Sequence, residues 1–496
     1  MRPSAALLVA LLAALPTAGC HDVKLESRFG PTDIGIYDDL YAVSLPDAQH
    51  AVAVGYWGAV YQSEDGGLTW AKRESGTLRS LYDVSMGDAL HGWAVGQLGL
   101  ILRTTDGGKT WSPQSNPKQE QGVHLFGVHA IDANTAWAVG EWGTRIFTDD
   151  GGQSWQDFSL TIDERNPRFV WLAPVDQDRV RRGEKVFEDV TLNDVTCRPP
   201  PSQHCWIAGE FGYVFHSETG GRSWDRGQIQ GDVQDERIDV PFEATDISPG
   251  DADRLKEFAR RVLPESHLNV EIEPKASDKE IASLTKGGKP EPLFEVLDAR
   301  KDAVRGVIED SGILSDRIRN RGAPPWDYED FQKDDPDFLK RYVEGRRAPT
   351  GGIDVRVSQN PFLFTVRFES DDEGMISGLG GLMLRTHDGG LTWSYERIPR
   401  KQAVFAVALA GGRAVAVGEK GLVEVSTDGG HSWDAPRSGF PSIFVFMRDL
   451  RFAPDSKLGL IVGQQGLILR SQDAGATWSR VLPAEKKKTP QQQAKL

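Results

Sequence analysis

Residues Gly96–Trp111 read GQLGLILRTTDGGKTW: a Gly-x-x-Gly turn, an apolar run, then Ser/Thr-x-Asp-Gly-Gly-x-Thr/Ser-Trp. The phrase returns as GYWGAVYQSEDGGLTW (Gly55–Trp70), GEWGTRIFTDDGGQSW (Gly140–Trp155) and GEFGYVFHSETGGRSW (Gly209–Trp224). It returns again as GLGGLMLRTHDGGLTW (Gly378–Trp393), GEKGLVEVSTDGGHSW (Gly418–Trp433) and GQQGLILRSQDAGATW (Gly463–Trp478). Seven copies at a near-constant period decide the fold before any local reading does. Each copy reads as a β-hairpin. Leu100–Thr104 is an apolar strand, and Asp106-Gly107-Gly108 supplies a side-chain acceptor and the positive φ of the reversal. Trp111 then opens a strand on which an indole buries a large area.

Six recurring aspartates raise the question of calcium or acid catalysis. One carboxylate per turn lacks the clustered oxygens calcium requires, and Thr219 replaces the Asp in the fourth copy. Asp65, Asp106, Asp150, Asp388, Asp428 and Asp473 are therefore read as structural turn-makers, with no metal and no cofactor expected.

Outside the phrase each repeat has two more strands, as in Leu81–Met86 and Gly92–Val95 ahead of Leu100–Thr104 and Thr110–Ser112. Seven four-stranded units imply an all-β fold, a seven-bladed β-propeller that closes on itself and hides its sheet edges. Asp-to-Asp spacings of 41, 44, 40 and 45 keep the period; intervals of 69 and 169 around Thr219 locate two insertions. The larger insertion carries helical spacing at Ala252–Val262, Asp278–Leu284, Leu293–Arg319 and Phe331–Tyr342, broken by Pro324-Pro325-Trp326. The expected organisation is a signal peptide at 1–20, a tether at 21–36 and the first four blades at 37–234. A helical insertion or cap at 235–346, three further blades at 347–483 and a disordered tail at 484–496 complete it.

A net charge of −15 argues against a nucleic-acid partner. Arg2, the apolar run Ala5–Leu15 and the small residues before Cys20 read as an export signal, too short to span a bilayer. Thr17-Ala18-Gly19-Cys20 resembles a lipobox, with Thr17 departing from the usual Leu, so Cys20 is the expected lipidation site and membrane tether. His21, in place of Asp, resembles the pattern of lipoproteins sent to the outer membrane. Cys197 and Cys205, flanking Pro199-Pro200-Pro201, are expected to form a disulfide in an oxidising compartment.

In a propeller the Asp turns line one end; the Gly-x-x-Gly turns and the blade-to-blade connections line the other. The second end carries both insertions and the variable tips, and is the expected binding face. Its candidates are Tyr56, Trp57, Glu141, Trp142, Glu210, Phe211, Glu419 and Lys420 on the tips. Arg79, His124 and Arg448 stand near the channel mouth. The tip aromatics meet either the cap or a ligand.

The phrase is the Asp-box, or BNR-like, repeat. The fuller pattern in Ala94–Trp111 and Ala138–Trp155 resembles the photosystem II assembly and stability factors, over roughly 37–225 and 359–483. That resemblance implies a seven-bladed, non-enzymatic factor that holds membrane-protein subunits during assembly and bears an arginine surface; a monomer is expected. The helical insertion departs from the compact family form. The expected partner is accordingly a membrane or envelope protein, and the location the periplasm. Asp boxes also occur in sialidases and other glycoside hydrolases, the rival reading. Arg397-Ile398-Pro399 mimics part of the sialidase arginine motif but follows the fifth Asp box instead of preceding the first. The glutamate tips lack an evident acid/base partner. Phosphate loops, His-Glu-x-x-His and Cys-x-x-Cys are absent from the sequence.

Overall fold

The computed structural model describes residues 38–481, apart from short internal stretches of which 321–337 is the longest. The signal, Cys20, the tether, the tail and Pro324-Pro325-Trp326 lie outside the described residues.

Each of the seven repeats builds its own antiparallel sheet, its strands hydrogen-bonded in chain order. In repeat 1 these are Leu40–Ser44, Ala51–Gly55, Val60–Ser63 and Ala71–Arg73. Second strands are buried along their whole length and built from Ala, Val, Trp and Ile, as covering on both faces demands. In repeat 6 the fourth position is reduced to the bridge Val425–Asp434.

The repeats are joined by their tryptophans. Trp155 packs with Trp93, Val95 and Ile101 of the repeat before it. Trp393 packs against Trp206 and Val214, Trp433 against Met375 and Met383, and Trp478 against Val415 and Val417. Trp70 of repeat 1 lies in one cluster with Leu458, Leu460 and Val462 of repeat 7. The second glycine of each box makes this approach possible: a Cβ at Gly108 (φ +85) would sit 2.8 Å from Val52 of the preceding repeat.

The Asp turn is a closed network. Asp106 Oδ1 accepts from Thr104 Oγ1 (2.9 Å) and from the N–H groups of Lys109 (3.0 Å) and Thr110 (2.9 Å). Its Oδ2 accepts from Thr110 Oγ1 (2.6 Å), and Trp111 Nε1 donates to Gly108 O (3.1 Å). In repeat 4 the Thr219 hydroxyl takes over part of the role, accepting from Ser223 N–H at 2.9 Å. Cys197 and Cys205 face each other on paired strands and form a disulfide.

The large insertion differs from the helical cap that the sequence suggests. Among the described residues its helices are Pro249–Val262, Asp278–Leu284, Glu291–Asp310 and Phe338–Arg346. They accompany a mixed four-stranded sheet, Glu236–Asp239, Gly352–Gln359, Leu268–Lys275 and Ile318–Asn320 in that order. Leu255, Phe258, Val304 and Ile308 pack onto Val270, Ile272, Ile353 and Val355 in a separate core. The unit is α/β and extends to Gln359, past the expected boundary at 346. LNVEIEPK and GIDVRVSQ alternate apolar and polar residues, as strands covered on one face do. The expected helix to Arg319 stops at Asp310, because Gly312 (φ +97) turns the chain into a strand. Before the unit begins, Gln228–Ile229 pairs with Thr392–Arg397 of repeat 5, which ties repeats 4 and 5 across the insertion.

Among the described residues the smaller insertion carries the short helix Pro174–Arg181. Among the described residues no helix is long and apolar enough to cross a membrane.

Candidate functional site

The first strand of every repeat carries a bulge at its second residue. Pairing with the second strand skips Tyr41, Tyr82, Phe126, Asn193, Phe364, Phe405 and Arg448 in turn. A bulge re-aims a side chain, and here all seven point into one central cavity of about 370 Å³. The Gly-x-x-Gly turn clamps the bulge: Gln97 N–H donates to Ser80 O (3.0 Å), and a Cβ on Gly96 would lie 2.0 Å from that oxygen. The rim is therefore aromatic. Tyr82 stacks on Phe126 with centroids 5.2 Å apart, and Phe364 meets Phe405 at 5.4 Å. The Arg448 guanidinium lies over Phe405 (4.7 Å) and Phe446 (5.2 Å).

One residue deeper, Asp83, Asp194 and Asp449 line the cavity with Arg367 and Arg451. Each carboxylate links neighbouring repeats. Asp83 Oδ2 accepts from Val128 N–H (2.8 Å), Asp194 Oδ2 from Val366 N–H (2.9 Å), and Asp449 Oδ2 from Val43 N–H (3.1 Å). Arg367 Nη1 bonds Asp194, and Arg451 Nε bonds Asp449 at 3.1 Å. Arg451 Nη2 is 3.9 Å from Asp83 Oδ1, too far for a hydrogen bond. Burial consequently wins at Asp83 and pushes its pKa up to about 7 against the pull of Arg451. Burial and the neighbouring Arg451 and Arg367 push His129 down to about 3, so that imidazole is neutral.

Of the residues singled out in the sequence, Arg448 lines the cavity. Tyr56, Trp57 and Trp142 stand on the tips, Trp57 and Trp142 about half exposed at 51% and 52%. Both hold left-handed backbone at φ +55, as do Leu98, Phe211, Lys420 and Gln465 at the same turn position. Phe211 packs inward, near Phe362. His124 accepts the Leu98 N–H through Nδ1 (2.9 Å) and packs edge-on to Tyr82 and Phe126, supporting the rim from outside. Glu141 accepts the His124 N–H (2.9 Å), and Glu419 accepts the Ala403 N–H (3.4 Å) while pairing with Lys420 (3.0 Å). These two tip glutamates are occupied in holding turns. Glu210 follows Gly209 at the equivalent turn position. Arg79 is exposed on a connection and is not among the cavity residues. Groups of three or more metal-ligating side chains are absent among the described residues.

Sequence reasoning missed the aromatic rim and the Asp–Arg layer. Aligning LYAVS, LYDVS, LFGVH, LNDVT, LFTVR, VFAVA and MRDLR would have exposed both.

A family model described as photosynthesis system II assembly factor YCF48 matches residues 74–168 and 350–439, the second span beginning at the last strand of the inserted unit. Over these two spans the chain's repeats resemble those of the photosystem II assembly factors. Among solved structures, this propeller is similar to YCF48 from Cyanidioschyzon merolae, with 15% identity and a TM-score of 0.48, covering 90% of this chain and 97% of that one. YCF48 bound to D1 peptide gives the same identity and coverage with a TM-score of 0.47. The WD40 β-propeller domain of Doa1 is 9% identical, with a TM-score of 0.44 over 90% of this chain and 99% of that one. Likeness this distant transfers no residue roles. Comparison with curated proteins gives no match.

Proposed function

We propose that this chain is a non-enzymatic scaffold that holds a polypeptide partner, a membrane or envelope subunit, on its Gly-x-x-Gly face. The seven hairpin sheets are the blades of one closed propeller, and the α/β unit is inserted between the fourth and fifth. The observation that carries the reading is Trp57 and Trp142, half exposed on tips beside the channel mouth and held in left-handed backbone. An indole left in water on a strained backbone is costly unless a partner covers it. The family match over 74–168 and 350–439 supports an assembly role, and the D1 peptide bound to a distant YCF48 is itself a protein segment. Export, the periplasmic location and lipidation at Cys20 belong to the same proposal, supported by the sequence of residues 1–21, and the protein is proposed to act as a monomer.

The test is affinity capture from detergent-solubilised envelope with wild type, Trp57→Ala/Trp142→Ala and Cys20→Ala. A membrane subunit retained by wild type and lost in the double tryptophan variant is expected, with Cys20→Ala releasing the protein from membranes. Equal capture by the tryptophan variant, or cleavage of a glycan panel by the purified protein, would overturn the scaffold reading.

A further inference from the structure

Hydrogen-bond accounting inside the channel is one-sided. All six oxygens of Asp83, Asp194 and Asp449 have donors. Beyond the inter-repeat bonds above, Oδ1 of each accepts the N–H of the next residue: Val84 (2.8 Å), Val195 (2.9 Å) and Leu450 (2.9 Å). The guanidinium donors are not matched. Arg367 Nε and Nη2 and Arg448 Nε are buried with no hydrogen-bond partner. Arg367 Nη2 lies 3.8 Å from Asp449 Oδ1, beyond hydrogen-bond distance. Arg448 and Arg367 line the cavity with guanidinium groups whose donors the three aspartates do not fully use, an arrangement suited to an anionic acceptor.

The walls define the rest of the ligand. Tyr41, Tyr82 and Phe126 form one side of the mouth, and Phe364 and Phe405 the other, with Arg448 closing the ring beside Phe405. A volume of about 370 Å³ falls within the range of small-molecule sites. We infer that the channel is a binding site for a small, flat, apolar carboxylate, its ring between the rim aromatics and its oxygens on Arg448 and Arg367. The site is separate from the tips that hold a polypeptide, and the inference does not rest on that reading.

The experiment is calorimetric titration of the full chain with three probes that share one apolar body: 3-phenylpropionate, 3-phenylpropanol and 3-phenylpropylamine. The acid is expected to bind saturably with one site, and the alcohol at least about tenfold more weakly, as loss of a charge-assisted bond requires. The amine should not bind. Arg448→Gln should weaken the acid by a similar factor, Arg448→Lys should restore part of the loss, and Phe405→Leu, which leaves every charge in place, should weaken acid and alcohol alike. Thermal unfolding of each variant separates a lost site from a lost fold. Amine binding as tight as the acid, acid binding unchanged in a folded Arg448→Gln, or no binding of any probe to folded wild type would each overturn the inference.

Discussion

Asp150, in a hairpin turn, and Asp83, in the channel, are the same residue put to opposite use. Bonds from the Ser154 hydroxyl and N–H hold the Asp150 carboxyl down at about 2 in open solvent. Burial lifts Asp83 to about 7, although two backbone N–H groups and a distant Arg451 stand against it. The turn end repeats one self-sufficient network, each acceptor filled from within a few residues. The channel end breaks the repeat at every bulge and is left with donors that the chain does not satisfy. Uniformity serves closure of the fold; departure from it accumulates where something else is to be bound.

If the turn end is structural, changes there should be the most costly. Trp393 is 1% exposed between repeats 4 and 5, and Trp393→Ala should destabilise by about 3–5 kcal/mol in urea unfolding. A loss below about 1 kcal/mol would mean the repeats are joined elsewhere. Asp106→Ala removes four acceptor bonds and should cost about 1–3 kcal/mol by the same measurement, with ligand titrations unchanged.

The two kinds of aspartate should also titrate with opposite sign. A turn carboxylate such as Asp150 adds stability that is lost as pH falls from about 4 toward about 2. Folded Asp83 holds a proton between about 4 and about 7 that the unfolded chain has released, so its contribution declines as pH rises through that window. Asp83→Asn should flatten that decline whatever it does to overall stability. An unchanged slope from pH 4 to 7 would show that Asp83 titrates normally.

The smallest effect is expected at a tip. Lys420 sits at φ +50 where repeat 5 has Gly380, so Lys420→Gly should stabilise by about 0.5–1 kcal/mol in thermal unfolding. Destabilisation instead would mean the Lys420–Glu419 pair outweighs the backbone strain.

Much of the propeller was legible because one sixteen-residue phrase repeats through the chain, and its Trp and Gly positions are fixed by packing on the preceding repeat. The site was less legible for a physical reason. Period-two reading assigns alternate residues to alternate faces, and a bulge at Tyr41, Tyr82 or Phe405 breaks that assignment at the residue that matters. Arg448 was visible, but nothing local places it beside Phe405, 43 residues earlier, or marks its donors as unmatched. The tip glutamates looked available in sequence because their donors, the N–H groups of His124 and Ala403, lie 17 and 16 residues upstream. The sheet of the inserted unit was missed because Leu268–Lys275 pairs with Gly352–Gln359, across helices that dominate the local pattern.

The most direct test of the division between the two ends is site-specific photo-crosslinking in the envelope, with the reactive residue at 142 on a Gly-x-x-Gly tip or at 391 on an Asp turn. Trp142 and Leu391 are about equally exposed, at 52% and 51%, so exposure alone does not favour either. Crosslinks to one membrane polypeptide from 142 and none from 391 are the expected result. Crosslinks from 391 alone would place the partner on the turn end and contradict the account.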